Sequence, residues 1–185
     1  MNGESPAEWI PTGYEARTCR RAIVLAGLIQ GNGWTRGAEI GVLGGSTFKL
    51  LLQHCPRLKL IGVDRWEWNP PSATDGAETY TKYDMRQSEA AARRIAAEYP
   101  GRATLLKGDL VEMAAQVLDG SLDFVFLDAD HTEAGTVAAI RAWAPKLHVT
   151  GALLGHDWNW PSVARALDAE LPVWEKLDGF VWRVR

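Results

Sequence analysis

Glu39-Ile40-Gly41-Val42-Leu43-Gly44-Gly45-Ser46 is the stretch on which the fold of this chain turns. An apolar run at 37–42 reads as a strand, and residues 46–54 read as a helix with Phe48, Leu51 and Leu52 available for burial. The glycines fall in the turn between them. Glycine lets backbone approach a ligand because no Cβ intervenes, and the following helix start offers free N–H groups. In parallel α/β sheets, ligands bind outside the carboxyl ends of the strands, which is where this turn lies. The spacing is not that of a dinucleotide loop: the glycines stand at 41, 44 and 45, and position 43 is leucine. Glu39 stands two residues before Gly41, and Asp64 ends the next apolar run. A carboxylate at the end of the second strand can accept both ribose hydroxyls of a nucleoside.

Outward from this loop, short apolar runs alternate with helical patterns. Such alternation argues for crossover connections and a parallel sheet. A helix over 14–30 carries Cys19, Ile23, Ala26 and Ile29 on one face, leaving Arg17, Arg20 and Arg21 as a solvated face. Further strands are expected at 58–64, 103–107, 122–128 and 151–156, and helices at 84–99, 110–117, 133–147 and 162–171. Asp178-Gly179 separates two last apolar runs, 174–177 and 180–185, and marks a hairpin. The expected fold is α/β: a Rossmann-like, doubly wound, seven-stranded sheet, mostly parallel with an antiparallel last strand. A single domain over 1–185 is expected, with the N-terminal helix ahead of a core at 36–185. Between the second strand and the next helix, residues 65–83 form a loop long enough to suggest function or mobility.

Composition narrows the partners. The chain has 185 residues, 46% of them hydrophobic and 23% charged, the profile of a globular protein with its own core. Its net charge of −3 argues against general nucleic-acid binding and favours small-molecule substrates. No run approaches the ~20 apolar residues needed to span a bilayer, and no signal-peptide pattern opens the chain. No membrane partner and a cytoplasmic location are therefore expected. Cys19 and Cys55 show no metal or disulfide spacing. His54 and His148 are placed at helix ends, where the dipole favours histidine, and are given no role.

Taken together, these residues resemble the class I S-adenosylmethionine (SAM) dependent methyltransferases. Glu39-x-Gly41-x-x-x-Gly45 looks like the family's first motif, Asp64 like its ribose-binding acid, and Gly108-Asp109 like its adenine-side motif. The resemblance implies SAM as cofactor, held by Glu39, Gly41, Gly45, Ser46, Asp64, Trp66, Gly108, Asp109 and Asp128. Trp66 is expected near the adenine or ribose. Trp66 with Trp68, and Trp158 with Trp160, suit an aromatic wall at the ligand edge.

The reaction centre is expected at two strand ends, Asp128-Ala129-Asp130-His131 and His156-Asp157. This pair resembles the small-molecule O-methyltransferase branch, and more distantly the catechol-type enzymes that hold Mg²⁺ there. Methyl transfer from a sulfonium is an in-line displacement that needs close positioning. The acceptor hydroxyl must lose its proton to a base or to the influence of a divalent metal. Asp128, His131 and His156 are the catalytic candidates. Asp128 and Asp157 are the metal candidates, with Asp130 or Asn159 nearby. His156 stands where the catechol-type pattern has a carboxylate, and Mg²⁺ prefers oxygen ligands. Asn69-Pro70-Pro71-Ser72 is set aside as an amino-group methylation motif, because it follows the second strand and lacks an aromatic. A homodimer is an open expectation. An NAD-dependent oxidoreductase on a related sheet and a non-catalytic SAM-binding module stand as alternatives.

Overall fold

A computed structural model describes residues 13–67 and 84–184. Seven strands form one sheet in the order β3-β2-β1-β4-β5-β7-β6. They are β1 (Arg36–Ile40), β2 (Lys59–Asp64), β3 (Ala103–Lys107), β4 (Leu122–Leu127), β5 (Leu147–Gly155), β6 (Trp174–Lys176) and β7 (Trp182–Val184). β1 to β5 pair in parallel, and β7 runs antiparallel between β5 and β6. The helices are α1 (Gly13–Asn32), α2 (Ser46–His54), α3 (Met85–Ala97), α4 (Glu133–Trp143) and α5 (Pro161–Glu170). This is the doubly wound sheet with an antiparallel last strand that the alternating pattern predicts.

Side-chain alternation along β4 divides the core. Phe124 and Phe126 join Leu25, Ile29, Phe48 and Leu51 from α1 and α2 on one face. Val125 and Leu127 join Ile140, Trp143, Val163 and Leu167 from α4 and α5 on the other. Successive residues point to opposite faces of a strand, so a continuous apolar run is what a doubly covered strand requires.

Four local expectations are corrected. Residues 110–117 form a 3₁₀ turn at Glu112–Gln116 in place of an α-helix. The helix expected to run to 147 ends at Trp143, and Pro145 in a short 3₁₀ turn precedes β5. His148 therefore lies in β5, not at a helix end. The β6–β7 connection is wider than a two-residue turn: Lys176 pairs with Trp182, and the link passes through a 3₁₀ turn at Asp178–Phe180. Trp68 and the Asn69–Ser72 motif, with the remainder of the long loop to residue 83, fall outside the described residues. Among the described residues, no helix is long and apolar enough to cross a membrane.

Candidate active site

The turn after β1 takes three left-handed conformations within five residues: Gly41 (φ 99°), Leu43 (φ 50°) and Gly45 (φ 84°). Gly41 has no alternative. A Cβ there would stand 2.2 Å from the Asp128 carbonyl oxygen, so the loop packs directly on the end of β4. Leucine is costly in such a backbone, and its neighbours hold it there. The Leu43 N–H donates to Asp64 Oδ2 at 2.8 Å, and the Trp66 indole donates to the Leu43 carbonyl at 2.8 Å. Asp64 Oδ1 accepts from the Trp66 N–H at 2.8 Å. Asp64 thus ties the ends of β1 and β2 together. The Trp66 ring is 3% exposed and lies in the core beneath the loop, where it acts as a buttress and not as an aromatic wall.

Glu39, on β1 below this turn, is 2% exposed, and its Oε2 has no hydrogen-bond partner among the described residues. Burial pushes its pKa well above the ordinary carboxylate value; Arg21 opposes this, while Asp128 and Asp64 add to it. Asp109, after β3, caps its own turn by accepting from the Val111 and Glu112 N–H groups, and it pairs with Arg65. Burial would raise its pKa, but these backbone bonds and Arg65 hold it below the usual value. Ser46 opens α2, and Gly108 follows β3 with Met113 packed against it.

At the ends of β4 and β5 the structure brings together Asp128, His131, His156 and Asp157. Hydrogen bonds fix each strand-end turn. Asp130 Oδ1 accepts from the Thr132 N–H at 2.8 Å, and the Asp130 carbonyl accepts from Thr136 Oγ1 at 3.1 Å. Gly135 lies so close to the Asp130 carboxyl that a Cβ would meet its Cγ at 2.2 Å. Asp130 is therefore a turn-maker, which leaves His131 to face the site. Ser162 Oγ donates to the His131 carbonyl at 2.6 Å, and the Trp160 ring lies 4.5 Å from the imidazole. Asp157 adopts φ 59°, a region that aspartate tolerates better than most residues.

His131 Nε2 lies 2.7 Å from Asp157 Oδ2 and 3.9 Å from Asp128 Oδ1. His156 Nδ1 lies 3.0 Å from the same Asp157 oxygen and 3.5 Å from Asp128 Oδ1. The other ring nitrogen of His156 donates to the Gly179 carbonyl at 2.9 Å, and the His156 carbonyl accepts from the Trp182 indole at 3.1 Å. Burial alone would lower the His131 pKa. The Asp157 bond and the charges of Asp128, Asp157 and Asp130 outweigh it and raise the value. Burial would raise the Asp157 pKa, but both imidazoles hold it far below the carboxylate range.

Two participants are missed by the sequence reading. Arg21 is not part of a solvated face: its side chain is 13% exposed and its Nη1 donates to Asp128 Oδ2 at 2.8 Å. Its Nε donates to Thr47 Oγ1 at 3.1 Å. The buried stripe is shifted from the expected one: Ile23 is 69% exposed, while Thr18, Ala22, Leu25 and Ile29 are buried and Arg21 adjoins them. Arg17 and Arg20 are exposed as expected. The second is Gly179, whose carbonyl anchors His156 from the far hairpin. Beside it, Phe180 (φ 58°) sets its ring 6.3 Å from His156 and 5.9 Å from Trp158.

Comparison with known proteins bears on the family and the fold. Residues 38–158 match a family model described as a methyltransferase domain. No curated protein matches the chain by sequence. Among solved structures, SAH-bound methyltransferase PaMTH1 of Podospora anserina superposes with a TM-score of 0.62 at 16% identity, covering 89% of this chain and 77% of that one. A candidate caffeoyl-CoA O-methyltransferase of Staphylococcus aureus has a TM-score of 0.62 at 15% identity, covering 88% of this chain and 81% of the other. CalS11, a TDP-rhamnose 3'-O-methyltransferase of calicheamicin biosynthesis, has 0.57 at 17%, covering 94% and 80%. At these identities the likeness establishes the fold.

Proposed function

Because the chain belongs to the methyltransferase-domain family, we propose that it moves the methyl group of SAM to a hydroxyl of a small-molecule acceptor, with His131 as general base. The observation that carries this reading is the His131–Asp157 pair at 2.7 Å, set at strand ends that touch the glycine loop through Gly41 and Asp128. An acceptor hydroxyl that displaces the 2.7 Å contact of His131 Nε2 with Asp157 gives its proton to that nitrogen, and the nearby Asp157 carboxylate offsets the charge of the imidazolium. Bound SAM would supply its methyl group to the freed oxygen by in-line displacement and leave as S-adenosylhomocysteine (SAH). A carboxylate that stabilises the imidazolium makes a stronger base, and a positioned base contributes roughly 10²–10⁴ in rate.

SAM suits the loop because it carries no phosphate. Gly41, Gly45 and Ser46 would follow its amino-acid portion, and Asp64 and Asp109 the nucleoside. Glu39, buried with one bare oxygen, is suited to a cationic ammonium nearby. Asp128 would position the acceptor and His156 would brace Asp157. Structural neighbours named as O-methyltransferases support a hydroxyl acceptor.

A divalent metal is less well served. Asp128, His131 and Asp157 each offer one ligand atom, all within 4.8 Å. Yet the set includes an imidazole, which Mg²⁺ disfavours, and both carboxylates already hold cationic or N–H partners. The donor set does not fit Mg²⁺.

Calorimetry with SAM, SAH and NAD, followed by an SAH-release assay over hydroxylated acceptors, tests the proposal. Binding of SAM and SAH is expected, with turnover lost in His131→Ala while SAM affinity stays within about threefold. Stabilisation by NAD alone would refute it. SAM binding without turnover across the panel would favour a binding module.

A further inference from the structure

We propose that Arg21 is the resident cation of this site, supplying beside Asp128 the positive charge that a divalent ion would otherwise have to bring. The inference rests on the reaction centre proposed above, but it concerns which cation the centre is built for. A divalent ion at Asp128, His131 and Asp157 would have to compete with partners already in place: Arg21 Nη1 stands 2.8 Å from Asp128 Oδ2, and Asp157 Oδ2 faces both imidazoles, at 2.7 and 3.0 Å. The guanidinium is permanently charged, so an added dication would meet a fixed like charge as well as occupied ligands.

The placement of Arg21 is built, not incidental. Its Nε is held by Thr47 on α2 and its Nη1 by Asp128 at the end of β4, so the planar fork is fixed from two elements. Its backbone is closed in from outside, because a Cβ on Gly179 would stand 2.9 Å from the Arg21 nitrogen. The same Gly179 carbonyl accepts from His156. Helix α1, the hairpin turn and β5 therefore meet around one cation, which makes Arg21 a positioning residue for Asp128 and for a deprotonated acceptor beside it.

Mn²⁺ alone is the probe, titrated without cofactor or acceptor, with EPR for bound ion and NMR for the His131 and His156 ring signals. The wild type is expected to show no selective broadening at stoichiometric Mn²⁺, and EDTA should leave turnover within twofold. Arg21→Gln should bind Mn²⁺ at least tenfold tighter than wild type, and adding Asp128→Asn should abolish that gain. Arg21→Lys, which keeps the charge, should not gain the site. Stoichiometric binding by the wild type at these histidines, or Arg21→Gln binding no better than wild type, overturns the proposal. Should Arg21→Gln fail to fold, the wild-type titration still decides. Failure of the SAM reading would appear separately, as absent SAM binding in calorimetry.

Discussion

Asp157→Asn removes a charge from the centre of the site while nearly preserving its shape, and its effect can be worked from the geometry. The His131 and Asp157 side chains are 8% and 17% exposed and 2.7 Å apart. At an effective dielectric of about 20, the gross attraction is roughly 6 kcal/mol. Desolvation of both partners cancels much of this, leaving a net coupling of about 3 kcal/mol. With Asp157 gone, its hydrogen bond and charge no longer oppose burial at His131, and the pKa should fall, while Asp128 and Asp130 still act to raise it. A general base works when neutral, so the wild-type acid limb of kcat/KM should lie above pH 6.5. In the variant that limb should move to lower pH, and the plateau should drop by about 10²–10⁴ because the imidazolium is no longer held. Imidazole NMR titrations measured beside the rate profile check both statements. An unchanged His131 titration, or an acid limb that stays in place, would refute the base assignment.

The same pair fixes the sign of a stability change. The raised His131 value stabilises the fold fully below 6.5 and loses this as pH rises through the folded value. The depressed Asp157 value stabilises above 3.8 and loses this as pH falls through the folded value. Denaturant midpoints of wild type and Asp157→Asn should differ most between about pH 4 and 6.5. Two further variants probe the loop. Gly41→Ala forces a Cβ to within 2.2 Å of the Asp128 carbonyl at φ 99°, and should cost about 3 kcal/mol or more by urea denaturation. Asp64→Ala leaves the Leu43 and Trp66 N–H groups without their acceptor, and should weaken SAM binding about 10- to 100-fold by calorimetry. Unchanged affinity would remove Asp64 from the cofactor site.

What could be read in the sequence follows from what is local. The run at 122–127 is apolar throughout because β4 is covered on both faces, so strand and sheet type can be read from one segment. The loop glycines are equally local, since the backbone angles at 41 and 45 demand them. Asp128, His131, His156 and Asp157 could be proposed because each closes a strand at the ligand edge. Arg21 could not, because its partners lie 26, 107 and 135 residues away. The helical pattern marks a stripe, but not which border residue reaches inward. The burial of Trp66 is equally long-range: the residue follows β2 at the ligand edge, but its ring packs in the core and its indole bonds to the Leu43 carbonyl, 23 residues away.

These long-range contacts make the cofactor loop and the reaction centre one construction. The Asp128 carbonyl occupies the space a side chain at Gly41 would need, while the Asp128 carboxylate holds Arg21. Arg21 in turn reaches α2 through Thr47, one residue beyond Ser46 at the helix start. Beneath them Glu39 responds to the charges of Arg21, Asp128 and Asp64 together. A ligand that places a positive group near Glu39 therefore acts on the same charges that surround Asp128, the residue proposed to position the acceptor. Cofactor binding and acceptor positioning should accordingly be coupled, without requiring a moving element between them.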